Sequence, residues 1–135
     1  MCAASDPTTR GAATDVDTLR QMRIGHIELP VEDPGRSARF YVDVLGFEVV
    51  AENPDIMWVG LGELQLQLRR GTPRATVNDL DDMNLVLYSD APEVELATLI
   101  DSGVTISERA NCHHFQDPDG YWWQLVDPAA DHRAD

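Results

Sequence analysis

The chain has 135 residues, which fits one domain, and 43% of them are hydrophobic, enough to build a core at this size. Its 24 acidic residues against 10 basic residues give a formal net charge of -14. A protein so acidic repels phosphate backbones, which excludes nucleic acid as a partner. The charge either serves solubility or attracts a cationic ligand.

Two further features of the sequence bear on the compartment. No apolar run approaches the roughly 18 residues of a membrane span, and the chain does not open with the basic start and apolar centre of a signal peptide. The two cysteines, Cys2 and Cys112, stand far apart and form no C-x-x-C pair, so neither a disulfide scaffold nor a cysteine zinc site is indicated. We therefore expect a cytoplasmic protein with no membrane partner.

The start of the chain predicts an arm, a strand and a helix. Residues 1–22 lack sustained periodicity and predict a flexible arm. Arg23 to Leu29 alternates as a strand, Asp33 is a good N-cap, and Pro34 suits the first helical position. Gly46 can take the left-handed conformation that ends the helix. The predicted buried side of this helix comprises Ala38, Tyr41, Val42 and Leu45.

Three strands are predicted next, at 47–51, 55–61 and 63–69, and Gly60 with Gly62 joins the last two tightly. The resulting order is βαβββ. It makes up a first module at about residues 23–70.

The second half repeats this order. A strand is predicted at 83–88, Asp90 with Pro92 opens a helix, and Gly103 stops it. The predicted buried side of this helix comprises Leu96, Leu99 and Ile100. A strand at 104–108 then leads into a β-hairpin.

The turn of that hairpin reads Asp117-Pro118-Asp119-Gly120, in which proline fixes φ and glycine accepts a positive φ. In its second arm Gln124 shares a face with Trp122 and Val126. A polar side chain between apolar neighbours indicates a cleft or a binding site.

Corresponding features of the two halves recur at one period. Pro34 and Pro92, and likewise Gly62 and Gly120, are about 58 residues apart, which indicates an internal duplication. The second module then covers about residues 82–127, the whole domain covers 23–128, and a tail follows at 129–135. The predicted fold class is α+β, with two βαβββ modules forming curled mixed sheets around a concave cleft and helices outside.

Alternation along the strands selects the side chains that line the cleft. They are His26, Glu28, Trp58, Gln65, Gln67, Asn84, Val86, Tyr88, His114, Trp122 and Gln124. The opposite faces are predicted to form the core beneath the helices, with Ile27, Leu29, Leu64, Leu66, Leu68, Leu85, Leu87 and Trp123.

Three motifs carry a resemblance to a known family. They are Gly-His-Ile-Glu-Leu at Gly25 to Leu29, Arg-Phe-Tyr with Leu-Gly-Phe between Arg39 and Phe47, and the Asp-Pro-Asp-Gly turn within Phe115 to Val126. On these motifs the sequence resembles the vicinal oxygen chelate superfamily. That group includes glyoxalase I, bleomycin resistance proteins, fosfomycin-modifying enzymes, methylmalonyl-CoA epimerase and extradiol dioxygenases.

In metal-dependent members the resemblance implies a divalent ion, such as zinc, nickel, manganese or iron, held by the first and last strands of each module. The matching positions are His26, Gln65, Asn84 and Gln124. Glyoxalase-like members place His or Gln, Glu, His and Glu there, so only His26 matches. One imidazole and three amides bring no negative charge to offset ion dehydration, and an amide cannot act as a base. We therefore predict no catalytic metal and no other cofactor.

Several roles stay open for the cleft residues. His26 and Glu28 form a candidate acid–base pair, although His26 could equally be a structural histidine. His114 could replace a missing ligand and form a metal site with His26 and Glu28. Trp58, Tyr88 and Trp122 form either an aromatic wall for a planar or cationic ligand or ordinary core packing.

These observations predict a small-molecule-binding protein of the glyoxalase and bleomycin-resistance type, which sequesters a planar or cationic compound without a catalytic metal. The predicted ligand-binding residues are His26, Trp58, Gln65, Gln67, Asn84, Tyr88, His114, Trp122 and Gln124. A homodimer is expected, because sheet edges need cover. The alternative is an enzyme, either a metal-dependent lyase, isomerase or dioxygenase-like protein or a metal-free acid–base catalyst.

Overall fold

The computed structural model describes residues 21–73, 83–109 and 112–130. The predicted arm, the connection between the modules and the tail lie largely or wholly outside these ranges. Within them, no helix is both long and apolar enough to cross a membrane.

The first module has the predicted order of elements. They are β1 (Ile27–Val31), α1 (Pro34–Asp43), β2 (Glu48–Asn53), β3 (Ile56–Leu61) and β4 (Leu64–Arg70). The first strand begins later than predicted, because residues 21–26 have no regular structure. Its pairing with β4 begins only at Ile27, opposite Leu66.

The second module repeats that order with shorter strands. Its elements are β5 (Leu85–Tyr88), α2 (Pro92–Asp101), β6 (Ser107–Arg109), β7 (Cys112–Gln116) and β8 (Trp122–Val126). A short 3-10 helix at Pro128–Ala130 follows.

Each module forms one four-stranded mixed sheet. The strand order is β1-β4-β3-β2 in the first sheet, named sheet A, and β5-β8-β7-β6 in the second, named sheet B. In both sheets the first strand pairs in parallel with the last strand, and the remaining pairs are antiparallel. This shared topology confirms the predicted fold of two βαβββ modules, and the two sheets are not closed into one barrel.

The sequence signals that end and begin elements work as predicted in most places. Gly46, Gly62, Gly103 and Gly120 all have a positive φ, which a side chain would disfavour. Asp33 caps α1, since its Oδ1 accepts hydrogen bonds from two backbone amides of the first turn at 3.1 and 3.2 Å. Such caps satisfy amides that have no partner within the helix.

Gly60 differs from the prediction, because it lies inside β3 rather than in the turn. A Cβ at this position would lie 3.2 Å from a methyl of Val50, so its role is a close approach of strands. The start of α2 also differs. Its N-cap is Ala91, which offers no side-chain hydrogen bond, whereas Asp90 was expected to open the helix.

One hydrophobic core joins both modules. From the first it includes Leu66 and Leu68, which are fully buried, and from the second it includes Phe115 and Trp123. A cavity of about 190 Å³ at the junction is lined by Leu45, Leu61, Leu87, Leu99 and Leu125, among others. The predicted core faces of both sheets therefore meet, and the opposite faces are directed away from this core. We call these opposite faces the outer face of sheet A and the outer face of sheet B.

The predicted buried side of α2 needs one correction. Leu99 is buried, but Ile100 is 59% exposed. The helix touches the core along a narrow strip through Leu99, and the next residue, about 100° further round the helix, faces solvent.

A buried polar cluster ties α1 to the second module. The Tyr41 hydroxyl donates to Oδ2 of Asp117 at 2.5 Å, and Nε1 of Trp123 donates to the Tyr41 hydroxyl at 3.1 Å. The other carboxylate oxygen of Asp117 accepts from the amides of Asp119 and Tyr121 at 2.9 Å each. Each polar group in this cluster therefore has a partner, as burial requires.

Burial changes the acid–base properties of this cluster. Loss of solvent raises the pKa of Asp117 to about 6, although hydrogen bonds from Tyr41 and two backbone amides partly offset the increase. Burial, with the neighbouring Asp117 carboxylate, also raises the pKa of Tyr41 well above its usual value. We therefore expect the join between modules to respond to the protonation of the Asp117 carboxyl group.

Candidate functional site

The structure divides the predicted cleft residues between the two outer faces. Sheet A carries His26, Glu28, Trp58, Gln65 and Gln67. Sheet B carries Asn84, Val86, Tyr88, His114, Trp122 and Gln124. The register pairs Gln67 with Glu28 and Trp58 on sheet A, and it pairs Gln124 with Val86 and His114 on sheet B. His26 and Asn84 directly precede β1 and β5.

On sheet A, a row of three side chains crosses the outer face. Glu28 on β1 lies opposite Gln67 on β4, which in turn lies opposite Trp58 on β3. Period-two alternation puts all three on the face away from Leu66 and Leu68. This row is the centre of the candidate site.

His26 closes one end of that row. Its Nε2 lies 2.9 Å from Oε2 of Glu28, and its ring packs edge-on against Trp58, with centroids 4.7 Å apart and an interplanar angle of 71°. One nitrogen of this imidazole is therefore hydrogen-bonded to the carboxylate, and its ring makes a T-shaped contact with the indole. The site therefore combines an aromatic surface with a carboxylate.

Arg69 belongs to this site and was missing from the sequence prediction. Its Nε lies 3.5 Å from Oε1 of Glu28, and the two side chains are 46% and 49% exposed. Alternation along β4 puts Arg69 on the same face as Gln65 and Gln67, so the pattern that selected those glutamines could also have selected it.

On sheet B, the outer face is more enclosed. Gln124 lies between Val86 and His114 in the register. His114 and Trp122 are each 7% exposed, whereas Tyr88, at the edge of the sheet, is 52% exposed. This face therefore presents few open aromatic or polar atoms near its centre.

Cys112 also lies on the outer face of sheet B, two residues before His114, and it is disulfide-bonded. This finding corrects the expectation that no disulfide is formed, which rested only on sequence spacing. Distance along the chain does not determine distance in the fold. The other cysteine of the chain, Cys2, lies outside the described residues.

The residues present do not fit a resident divalent metal. The four family-equivalent positions offer one imidazole and three carboxamides, and Nε2 of His26 already bonds Glu28. Among the residues that the structure describes, no group of three or more His, Cys, Asp or Glu side chains is arranged to hold a metal ion. Neutral amides are poor ligands for the transition metals of this fold.

Solved structures of other proteins share this architecture. TnmS3, an antibiotic-binding protein from Streptomyces sp. CB03234, has 25% identity and a TM-score of 0.64, with 80% of this chain and 99% of that chain covered. The glyoxalase I of Leishmania major has 22% identity and a TM-score of 0.64, with 81% and 88% covered. A glyoxalase/bleomycin resistance protein from Streptomyces sp. CB03234 has 24% identity and a TM-score of 0.60, with 75% and 96% covered.

No curated protein matches the sequence. A family model does match, over residues 23–125, which span both modules. The match agrees with the duplicated βαβββ topology and with the three sequence motifs. The chain belongs to the Glyoxalase/Bleomycin resistance protein/Dioxygenase superfamily.

Proposed function

We propose that this protein binds a planar, positively charged organic molecule on the outer face of sheet A, without a catalytic metal. The observation that carries the proposal is the cluster of Trp58, His26 and Glu28, in which His26 contacts both an indole and a carboxylate on a partly accessible surface. A cation stacked on an aromatic ring gains roughly 0.5 to 2 kcal/mol. The neighbouring carboxylate adds direct charge attraction.

Such a ligand would have to displace Arg69 from Glu28. The geometry of this pair indicates that the displacement costs little free energy. Its distance of 3.5 Å from Glu28 is long for an ion pair, and both side chains are about half exposed. Exposed pairs of this kind contribute roughly 0 to 1 kcal/mol. A cation that also stacks on Trp58 can therefore replace Arg69 as the partner of Glu28. The acidic character of the whole chain favours its approach.

The similarity to TnmS3, which is described as antibiotic-binding, supports a ligand of antibiotic type. Sequestration would then protect a target simply by holding the compound. This role needs binding and no chemistry, in keeping with a site of one imidazole and several amides.

A second candidate function rests on one specific contact. The 2.9 Å contact between His26 and Glu28 is the geometry of an acid–base pair, in which a carboxylate orients an imidazole. A metal-free lyase or isomerase could use it, with His26 moving the proton. The metal-dependent alternative has weaker support, because the donors at the family positions do not fit the ion.

A homodimer is proposed for the assembled protein. β2 is an edge strand of sheet A, and all six of its residues are exposed, including Val49 at 47% and Val50 at 52%. Open edges that carry apolar residues invite pairing with another strand. Because the two outer faces point away from the shared core, a second copy could place its sheet B outer face, with Asn84 and Gln124, opposite sheet A.

We further propose that the protein acts in the cytoplasm and that the disulfide at Cys112 is reduced there. The hydrophobic core cluster that joins both modules does not include Cys112. Thiol trapping in rapidly quenched cells, read by mass spectrometry, should find Cys112 reduced. Recovery of the oxidised form would instead indicate an oxidising compartment.

Calorimetric titration with proflavine, a planar aromatic cation, and with acridine, its neutral analogue at neutral pH, tests the binding proposal. We expect proflavine to bind more tightly than acridine. Glu28→Gln should remove this preference. Trp58→Ala should lower the affinity for both compounds about tenfold, since a stacking contact contributes about 1 kcal/mol or more.

The matched control is Glu52→Gln, which removes an equally negative, exposed side chain from β2. It should leave the preference for the cation intact. Equal affinity for the two compounds in the unaltered protein would contradict the proposal, as would an equal effect of the two glutamate substitutions.

A further inference from the structure

A second cavity lies away from the row on sheet A, at the end of the β7–β8 hairpin. Its volume is about 380 Å³, within the range of roughly 300 to 1,000 Å³ that holds small molecules. Its walls come from α1, from the connection between α2 and β6, and from the hairpin. Among the residues that line it are Phe40, Thr105, Ser107, Gln116, Asp117 and Trp122.

One wall of this cavity carries a buried donor without a partner. Trp122 is 7% exposed, and its indole Nε1 is buried and makes no hydrogen bond. Leaving a buried donor unpaired costs about 1 to 3 kcal/mol, so native proteins rarely do so without a reason. The neighbouring indole shows that the fold can satisfy such groups, because Nε1 of Trp123 donates to Tyr41 at 3.1 Å.

Two further polar side chains of the cavity, Gln116 and Asp117, indicate what would complement it. Gln116 donates its side-chain amide to the carbonyl of Gly120 at 3.0 Å, which leaves its own carbonyl oxygen as an acceptor. Asp117 is engaged by the Tyr41 hydroxyl and by two backbone amides, so it needs no cation. Phe40 and the ring of Trp122 supply apolar walls.

We propose that this cavity is a second binding site, for a neutral planar heteroaromatic molecule with a hydrogen-bond acceptor beside a donor. The acceptor meets Nε1 of Trp122, the donor meets the carbonyl oxygen of Gln116, and the ring packs against Phe40. The ligand class differs from the cation assigned to sheet A, because the one carboxyl group among the described lining residues, that of Asp117, already accepts three hydrogen bonds. The two sites are therefore separable by ligand charge.

The test uses 2-quinolone, a neutral bicyclic lactam, with naphthalene as a probe of the same shape that lacks the lactam. Two-dimensional ¹H–¹⁵N spectra resolve the three indole N–H groups of the chain, and Trp122→Phe assigns the signal of Trp122. We expect 2-quinolone to move that signal saturably while the Trp58 signal stays in place. Naphthalene should not produce the downfield shift of a new hydrogen bond.

Two variants make the result decisive. Trp122→Phe keeps an aromatic wall but removes the donor. It should lower the affinity for 2-quinolone about three- to tenfold, which is the effect of losing one hydrogen bond. Thr105→Phe changes an exposed position outside the strands and should block binding by filling the cavity, which keeps the proposal testable if the tryptophan variant does not fold.

No saturable movement of the Trp122 signal by about 1 mM probe would overturn the proposal. Equal shifts of Trp122 and Trp58 would also overturn it, because they indicate nonspecific stacking. Unchanged affinity in Thr105→Phe would place the probe elsewhere. None of these outcomes depends on proflavine binding at sheet A.

Discussion

The outer faces of sheets A and B are built from the same βαβββ pattern, yet they differ in which side chains are exposed on them. On sheet A, His26 and Glu28 are partly accessible and contact each other, and the His26 ring packs against the indole of Trp58. On sheet B, the face is enclosed along β7 and β8, where His114 and Trp122 are each 7% exposed, while Val86 on β5 is 48% exposed. The duplication thus repeats the positions of strands and turns, while each copy carries its own surface chemistry. Function follows from the side chains on each face and not from the repeat itself.

The largest expected difference in stability is between substitutions of two tryptophans, one on each face of the sheets. Trp123 is fully buried and bonds Tyr41, whereas Trp58 lies on the outer face. We expect Trp123→Ala to lower the free energy of unfolding by about 3 to 5 kcal/mol. Trp58→Ala should lower it by about 1 kcal/mol. Urea unfolding monitored by circular dichroism measures both, and equal losses would contradict the assignment of the two faces.

The join between modules should respond to pH through Asp117. Its pKa in the folded protein is about 6, against an ordinary value of 3.8, so the folded state binds the proton more tightly than the unfolded state. This contribution to stability is complete below about pH 4 and is lost as pH rises through about 6.

Relative to Asp117→Asn, the unaltered protein should therefore gain about 2 kcal/mol between pH 7 and pH 4, since each pKa unit corresponds to about 1.4 kcal/mol and the unfolded carboxyl group is already partly protonated at pH 4. Unfolding free energies of both proteins across this range provide the measurement. Parallel curves would show that the carboxyl group does not titrate as described.

The two helices offer a smaller contrast. Asp33 caps α1 with two hydrogen bonds, whereas Ala91 at the start of α2 supplies none from its side chain. Asp33→Ala should lower the melting temperature by a few degrees, because two amides of the first turn lose their acceptor. Val94→Ala, an exposed change within α2, serves as the control and should have little effect. A decrease in melting temperature no larger than that of the control would show that the Asp33 cap does not stabilise the protein.

The smallest effect on stability is expected at the candidate site itself. Glu28→Gln removes a carboxylate that is 49% exposed, and such exposed pairs contribute little. The free energy of unfolding should change by about 0.5 kcal/mol or less, even though discrimination between proflavine and acridine is lost. A large loss of stability would mean that Glu28 supports the fold and would weaken its assignment to ligand binding.

Much of the scaffold could be predicted because its signals are local. The helix stops at Gly46 and Gly103 and the turns at Gly62 and Gly120 each depend on the φ of one residue. The helix start at Asp33 depends on a side chain and the amides that follow it. Alternation likewise predicted that Leu66 and Leu68 are buried. Local steric and hydrogen-bonding rules are visible in one sequence.

The parts that were missed depend on contacts between distant segments. The exposure of Ile100 depends on how narrowly α2 touches the core, and no local pattern around Cys112 marks its disulfide bond. The cavity beside Trp122 is formed by α1 and the second module together. Arg69 is an exception, because alternation along β4 could have identified it. The division of the cleft residues between two outer faces depends on how the modules pack, which periodicity does not encode.

Binding by chelator-treated protein is the most direct test of the central claim, which is that sheet A holds an organic cation without help from a metal. Calorimetric titration with proflavine, before and after treatment with a chelator, measures it. We predict one saturable site per chain with the same affinity in both samples. Loss of binding after chelation, with recovery when zinc, nickel, manganese or iron is added back, would contradict it.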